Sequence, residues 1–174
     1  MPVRQKIAEK TIFNLLGPHT NPCSAKKQIL GVYDEKLVKM FSNVAKNLDM
    51  KHVMIVHGDD GLDEISICSE TIVSELKDNK ISEYKISPKD YGLNLSSFDQ
   101  IAANSSYESF LLVNSAFNGE SSAVQDMIAL NSGAALYIAN VVDSISDGIE
   151  MAFDCMNNGQ AAQKLADYVR VSNE

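Results

Sequence analysis

"QILGVYDEKLVKMFSNVAKNLDMKHVMIV", residues 28–56, is the stretch on which the fold turns. It runs from a short apolar segment through an amphipathic one to a second apolar segment. "QILGVY" reads as a short buried strand, and Asp34 follows where a side-chain oxygen can accept an orphan N–H of a helix's first turn. Leu37, Phe41, Val44, Ala45 and Leu48 recur at helical spacing and give that helix one apolar face. "HVMIV" has no polar alternation, as expected of a strand covered on both faces. Strand, helix and apolar strand make a parallel βαβ unit, because parallel strands need a long crossover between them. The expected class is α/β, a mostly parallel sheet with flanking helices.

Downstream, "HGDDGLDEIS", residues 57–66, gathers Asp59, Asp60, Asp63 and Glu64 around Gly61. Two readings stay open on these residues alone. Gly and Asp supply turn geometry, so the stretch can be a solvated turn. Alternatively, a hard cation such as magnesium takes one or two carboxylates and completes its shell with water and substrate phosphate. Next, "EISICSETIVSEL" and "KISEYKI" flank "KDN", which predicts an antiparallel hairpin at an exposed sheet edge. Ser105 with Glu108, and Ser122 with Gln125, stand at capping-box spacing and open two helices, the first stopped by Gly119. In the second, Ser132, Gly133, Ala134 and Ala135 would allow close packing against a sheet. Two further helices carry Ile149, Ala152, Phe153 and Met156, then Ala161, Leu165, Tyr168 and Val169. Upstream, "RQKIAEKTIFNLL" has a helical pattern closed by Gly17 and Pro18, and "GPHTNPCSAKK" reads as a loop.

The length of 174 residues suits one domain, and a net charge of -8 argues against nucleic acid, whose binding rests on Lys and Arg neutralising phosphates. No apolar run approaches the roughly 20 residues that span a bilayer, and "MPVRQKIAEK" lacks a signal peptide's apolar core. Cys23, Cys68 and Cys155 have no paired spacing, which argues against structural zinc and a disulfide framework. A cytoplasmic protein with no membrane partner is expected.

"KTIFNLLGPHTNP", residues 10–22, resembles the central signature of the anthranilate phosphoribosyltransferases, whose wider family also holds the pyrimidine nucleoside phosphorylases. "MPVRQK", "QILGVYDEKLV", "VHGDDGLDEIS", "ALNSGAALYIAN" and "GIEMAFDCMNNGQAAQKL" resemble further segments of that family, in the same order. The family's N-terminal half, with most of a small helical domain and a G-T-G-G-D loop for pyrophosphate, has no counterpart here. The chain therefore resembles the C-terminal half, with Met1 at what is an interior position in the family. Residues 1–22 would be a helical hinge segment carrying the substrate-tunnel signature, and residues 23–174 the C-terminal part of the α/β domain, incomplete relative to the family's.

The resemblance implies transfer of a phosphoribosyl group from phosphoribosyl pyrophosphate to the amine of anthranilate in tryptophan biosynthesis. It implies Mg2+ held by Asp63 and Glu64, a grip by Arg4 on the anthranilate carboxylate, and Gly17 and Pro18 lining the substrate's path. Asp59 and Asp60 would be solvated turn residues. His19, His52 and His57 stay unassigned, and Met127, Tyr137 and Phe153 read as core. The complete enzyme would be a homo-oligomer, and this chain inactive unless the N-terminal half is supplied in trans. A non-catalytic interaction module on the same scaffold and a nucleoside phosphorylase fragment are the alternatives. Removal of neighbouring strands would leave "QILGV" and "HVMIV" apolar and uncovered, and the free chain self-associated or marginally stable.

Overall fold

The computed structural model describes residue 17, residues 20–120 and residues 122–174. Nearly all of the expected hinge segment 1–22, including Arg4, Pro18 and His19, therefore lies outside the described residues. The described chain runs β1 (Lys27–Gly31), α1 (Glu35–Asn47), β2 (His52–Gly58), β3 (Thr71–Lys77), β4 (Lys80–Ile86), α2 (Ser106–Phe117), α3 (Ala123–Ala139), α4 (Ile145–Asn157) and α5 (Gln160–Ser172). The strands lie in the order β1-β2-β3-β4.

The α/β class, the βαβ unit and the edge hairpin are as expected. β1 and β2 pair in parallel around α1, with Ile29 opposite Met54. The sheet as a whole is mixed, since β2 with β3 and β3 with β4 pair antiparallel. The reason is the connection after β2. Residues 59–70 contain no helix, so the chain must turn back on itself rather than cross over. The hairpin turn then falls on Asp78 and Asn79, both with positive φ (49° and 62°), the left-handed pair that a tight hairpin requires. β3 corrects one expectation. It is an inner strand with Thr71, Val73, Ser74, Glu75 and Leu76 buried, and only β4 carries the polar exposure foreseen for both.

β2 is covered on both faces by this chain alone. Val53 and Ile55 point to one side, where Val38, Phe41 and Ala45 of α1 meet Leu30, Val32 and Leu76. Met54 and Val56 point to the other, against Ala129, Leu130, Ala134 and Ile138 of α3 and Ile149 and Met156 of α4. "HVMIV" is thus not left facing water, contrary to the expectation for a half-covered sheet. β1 is less covered, and its outer edge pairs with no strand among the described residues.

The helix starts follow local chemistry. Asp34, Ser105, Ser122 and Ser144 each accept a first-turn N–H as N-caps. The capping boxes are incomplete: Glu108 accepts from the Asn104 N–H, and Gln125 turns inward to donate to Asn157 Oδ1 at 3.1 Å. Small residues in α3 serve two contacts. Ala134 packs toward the sheet, while Gly133 lies against α4, where a Cβ would come 2.7 Å from the Ile149 backbone N. On α5 the expected apolar face is half-covered: Ala161 packs on the core and Leu165 is half-buried, while Tyr168 and Val169 are 71% and 51% exposed. Leu48, read as part of the α1 face, falls at the helix C-cap and is 45% exposed. No helix among the described residues is long and apolar enough to cross a membrane.

Candidate functional site

The acidic loop leaves the carboxyl end of β2, the end of an open α/β sheet where ligands collect. Its first half is folded on itself. The Gly58 N–H donates to the Leu62 carbonyl at 2.9 Å, the Gly61 N–H to the Gly58 carbonyl at 2.8 Å, and Gly61 takes φ +91°. Asp60 is the organising side chain. Its Oδ1 accepts from the Leu62 N–H at 3.2 Å and its Oδ2 from the Ser66 hydroxyl at 2.6 Å. Ser66 Oγ in turn accepts from the N–H groups of Cys68 (2.9 Å) and Ser69 (3.2 Å). Asp59 pairs with Lys85 Nζ at 2.7 Å. Asp59 and Asp60 are exposed turn residues, as expected, and their carboxylates are engaged as well, with Asp60 holding the turn's shape. The six-residue reach from Asp60 to Ser66 matches no periodic pattern, so the sequence carried no signal for it.

Asp63 and Glu64 differ from these two. Both are exposed, and among the described residues neither carboxylate is taken by a cation or by a hydrogen-bond donor. Loss of water around its carboxyl, and then the charge of Asp63, push the Glu64 pKa above the ordinary carboxylate value. Glu64 borders a cavity of about 270 Å³ walled by Ile101, Val113, Val124, Met127 and Ile128, which accounts for the lost water. Two adjacent repelling carboxylates with no counter-ion favour a divalent cation. The donors are hard oxygens, and no group of three or more His, Cys, Asp or Glu suited to a metal exists among the described residues. That set fits an ion such as Mg2+, which retains water and substrate oxygens, and does not fit a protein-caged zinc.

The backbone bearing this pair is fixed on both sides. A Cβ at Gly31 would overlap the Asp63 carbonyl, so only glycine at the end of β1 lets the loop pass so close. Beyond Glu64, Asn131 of α3 receives the Ile65 N–H on its Oδ1 at 3.0 Å and donates Nδ2–H to the Ile65 carbonyl at 2.9 Å. Ile65 itself is 1% exposed, a peg in the core. Sequence reasoning missed Asn131, which stood inside a helical pattern 66 residues from its partner.

Of the other expected site residues, Gly17 is exposed, and no hydrogen bond among the described residues joins it to the acidic loop. Arg4 and Pro18 lie outside the described residues. His57 is spoken for structurally, its Nδ1 donating to the Val32 carbonyl at 2.7 Å. The Cys68 thiol pKa is pushed up by burial and by Asp60, the opposite of an activated nucleophile.

A second polar cluster lies at the other end of the sheet. Glu75, buried on β3, receives His52 Nε2 at 2.6 Å and the Tyr137 hydroxyl at 3.0 Å on one oxygen, and the Tyr84 hydroxyl at 2.8 Å on the other. Burial raises its pKa, but the bonds from His52, Tyr84 and Tyr137 outweigh that and hold it below the ordinary value. Every polar group here has a partner, the mark of a structural network. Tyr137, read as plain core, thus has a polar role.

The chain matches the family described as "Glycosyl transferase family, a/b domain" over residues 1–162. It is 45% identical over 170 residues to the anthranilate phosphoribosyltransferase of Vesicomyosocius okutanii subsp. Calyptogena okutanii (strain HA), covering 98% of this chain and 50% of that protein. The anthranilate phosphoribosyltransferase of Thermus thermophilus superposes with a TM-score of 0.87 at 29% identity, over 97% of this chain and 50% of the other. The Saccharomyces cerevisiae enzyme in complex with PRPP and Mg superposes with a TM-score of 0.86, over 99% of this chain and 50% of the other, and at 24% identity that likeness speaks for the fold. The chain spans about half the length of the curated relatives it matches.

Proposed function

The chain belongs to the glycosyl transferase family whose a/b domain it matches, and from that premise we propose that it contributes the acidic, metal-holding part of an anthranilate phosphoribosyltransferase. The complete protein would move the phosphoribosyl group of phosphoribosyl pyrophosphate to the amine of anthranilate, in tryptophan biosynthesis, releasing pyrophosphate. The observation that carries this reading is the pair Asp63 and Glu64, adjacent, unengaged among the described residues and held at the carboxyl end of the βαβ unit. The Saccharomyces cerevisiae enzyme, whose fold the chain shares, is one that takes PRPP and Mg together.

In this reading Asp63 and Glu64 would hold Mg2+, which when bound neutralises charge growing on the departing pyrophosphate. Arg4 would orient anthranilate through a two-pronged grip on its carboxylate, and Gly17 and Pro18 would line its path. The Gly-rich pyrophosphate cradle would come from the other half of the fold, on the same or a second chain, in a homo-oligomeric enzyme. Three cysteines free of disulfides suit a cytoplasmic location.

The test combines the purified chain with the N-terminal half of the Vesicomyosocius okutanii relative and assays product with both substrates and Mg2+. Activity is expected in the mixture and in neither half alone. Asp63→Asn with Glu64→Gln should remove most of it while the halves still associate, and Arg4→Ala should chiefly raise the KM for anthranilate. An associated pair that makes no product, or a double amide variant that turns over normally, would overturn the assignment.

A further inference from the structure

The clamp between α3 and the acidic loop carries a role of its own. Asn131 is unlike the other anchors of the loop, because it binds both backbone groups of the residue next to Glu64 with one planar amide. The side chain cannot rotate away easily: the same Nδ2 also donates to the Met127 carbonyl one turn back at 3.0 Å, which ties the amide to its own helix. A rigid helix is thereby joined, through a single side chain, to the peptide that directs Glu64. Glu64 and Asn131 also border the same cavity, so space exists there into which a released Glu64 could turn.

We propose that Asn131 is a positioning residue: it sets the direction of the Glu64 carboxylate and so the affinity of the Asp63–Glu64 pair for a divalent cation. The inference rests on the metal reading of that pair. The chemistry admits few substitutes. Aspartate keeps an acceptor for the Ile65 N–H but loses both donations and adds negative charge beside Glu64. Alanine loses all three bonds. Glutamine displaces the amide by one methylene and cannot meet both groups of Ile65 without moving the loop.

Binding of Mn2+ alone, a spin-active stand-in for Mg2+, to the 174-residue chain provides the measurement, followed by the loss of the free-ion resonance against a protein-free titration. Hydrogen exchange at the Ile65 amide and a thermal melt are recorded on the same samples. Asn131→Ala should accelerate Ile65 exchange selectively and weaken Mn2+ by about 10- to 100-fold, the usual effect of removing a partner that orients a ligand. Asn131→Asp, nearly isosteric, should show a smaller loss and guards against a misfolded alanine variant. Ile149→Val, which removes one methyl from the core without forcing α3 and α4 apart, should lower the melting temperature and leave Mn2+ affinity unchanged. Equal affinity in wild type and Asn131→Ala, with Ile65 exchange accelerated, overturns the role of Asn131 alone. Equal affinity in wild type and Asp63→Asn with Glu64→Gln overturns the metal reading, and the role of Asn131 falls with it.

Discussion

Glu75 and Glu64 show how differently one residue type behaves at two ends of the same sheet. Glu64 is left with a like-charged neighbour and, among the described residues, no partner, which is a poor arrangement for stability and a good one for a cation. Glu75 has its donors built in, from three different elements: His52 on β2, Tyr84 on β4 and Tyr137 on α3. Because its folded pKa lies below the ordinary glutamate value of 4.5, the network's contribution is fully present above that pH. It is lost as pH falls through the lowered folded value. Glu75→Gln should therefore destabilise the chain at neutral pH by about 2–4 kcal/mol, the scale of a buried charge network deprived of its anion. It should also flatten the decline in stability below pH 4.5, as read by denaturant titration at a series of pH values. An unchanged acid limb in the variant would mean that other carboxylates govern acid unfolding. None of this was legible in the sequence, where Glu75 is one charge in an alternating strand and its three partners lie 9, 23 and 62 positions away.

At the scale of elements, the helix starts were readable because capping is local: Asp34, Ser105 and Ser122 satisfy N–H groups within three residues of themselves. The contact between α3 and α4 was not. Gly133 and Gly148 meet backbone to backbone, and a Cβ on Gly148 would overlap the Gly133 peptide. Gly148→Ala gains helix propensity yet must force the two helices apart, so a net loss of about 1–3 kcal/mol is expected. The displacement should also loosen the α3 anchor of the acidic loop. A urea titration of the variant measures the first effect and Ile65 amide exchange the second. A variant as stable as the wild type would show that the helices can separate at no cost.

For the whole molecule, the two helical layers on β2 mean that the chain closes a core without outside help, so it should unfold in one cooperative transition on heating or in urea, agreeing between far-UV and near-UV signals. A broad, non-coincident transition would mean that tertiary packing needs the half of its relatives' length that this chain does not span. The β1 edge, which pairs with no strand among the described residues, and exposed side chains such as Tyr107, Phe110, Tyr168 and Val169 are where self-association should begin, and sedimentation over a range of concentrations tests for it. By itself the sequence determined the α/β class, the βαβ unit, the hairpin and the helix starts, because each is written in residues within a few positions of one another. Only the tertiary structure decided that the sheet is mixed, that β3 is an inner strand, that among the described residues Asp60 is bound while Asp63 and Glu64 are not, and that Asn131 clamps the loop. Those outcomes depend on contacts between residues far apart in the chain, where one geometry among many satisfies the buried polar groups and fills the core, and no local pattern records which.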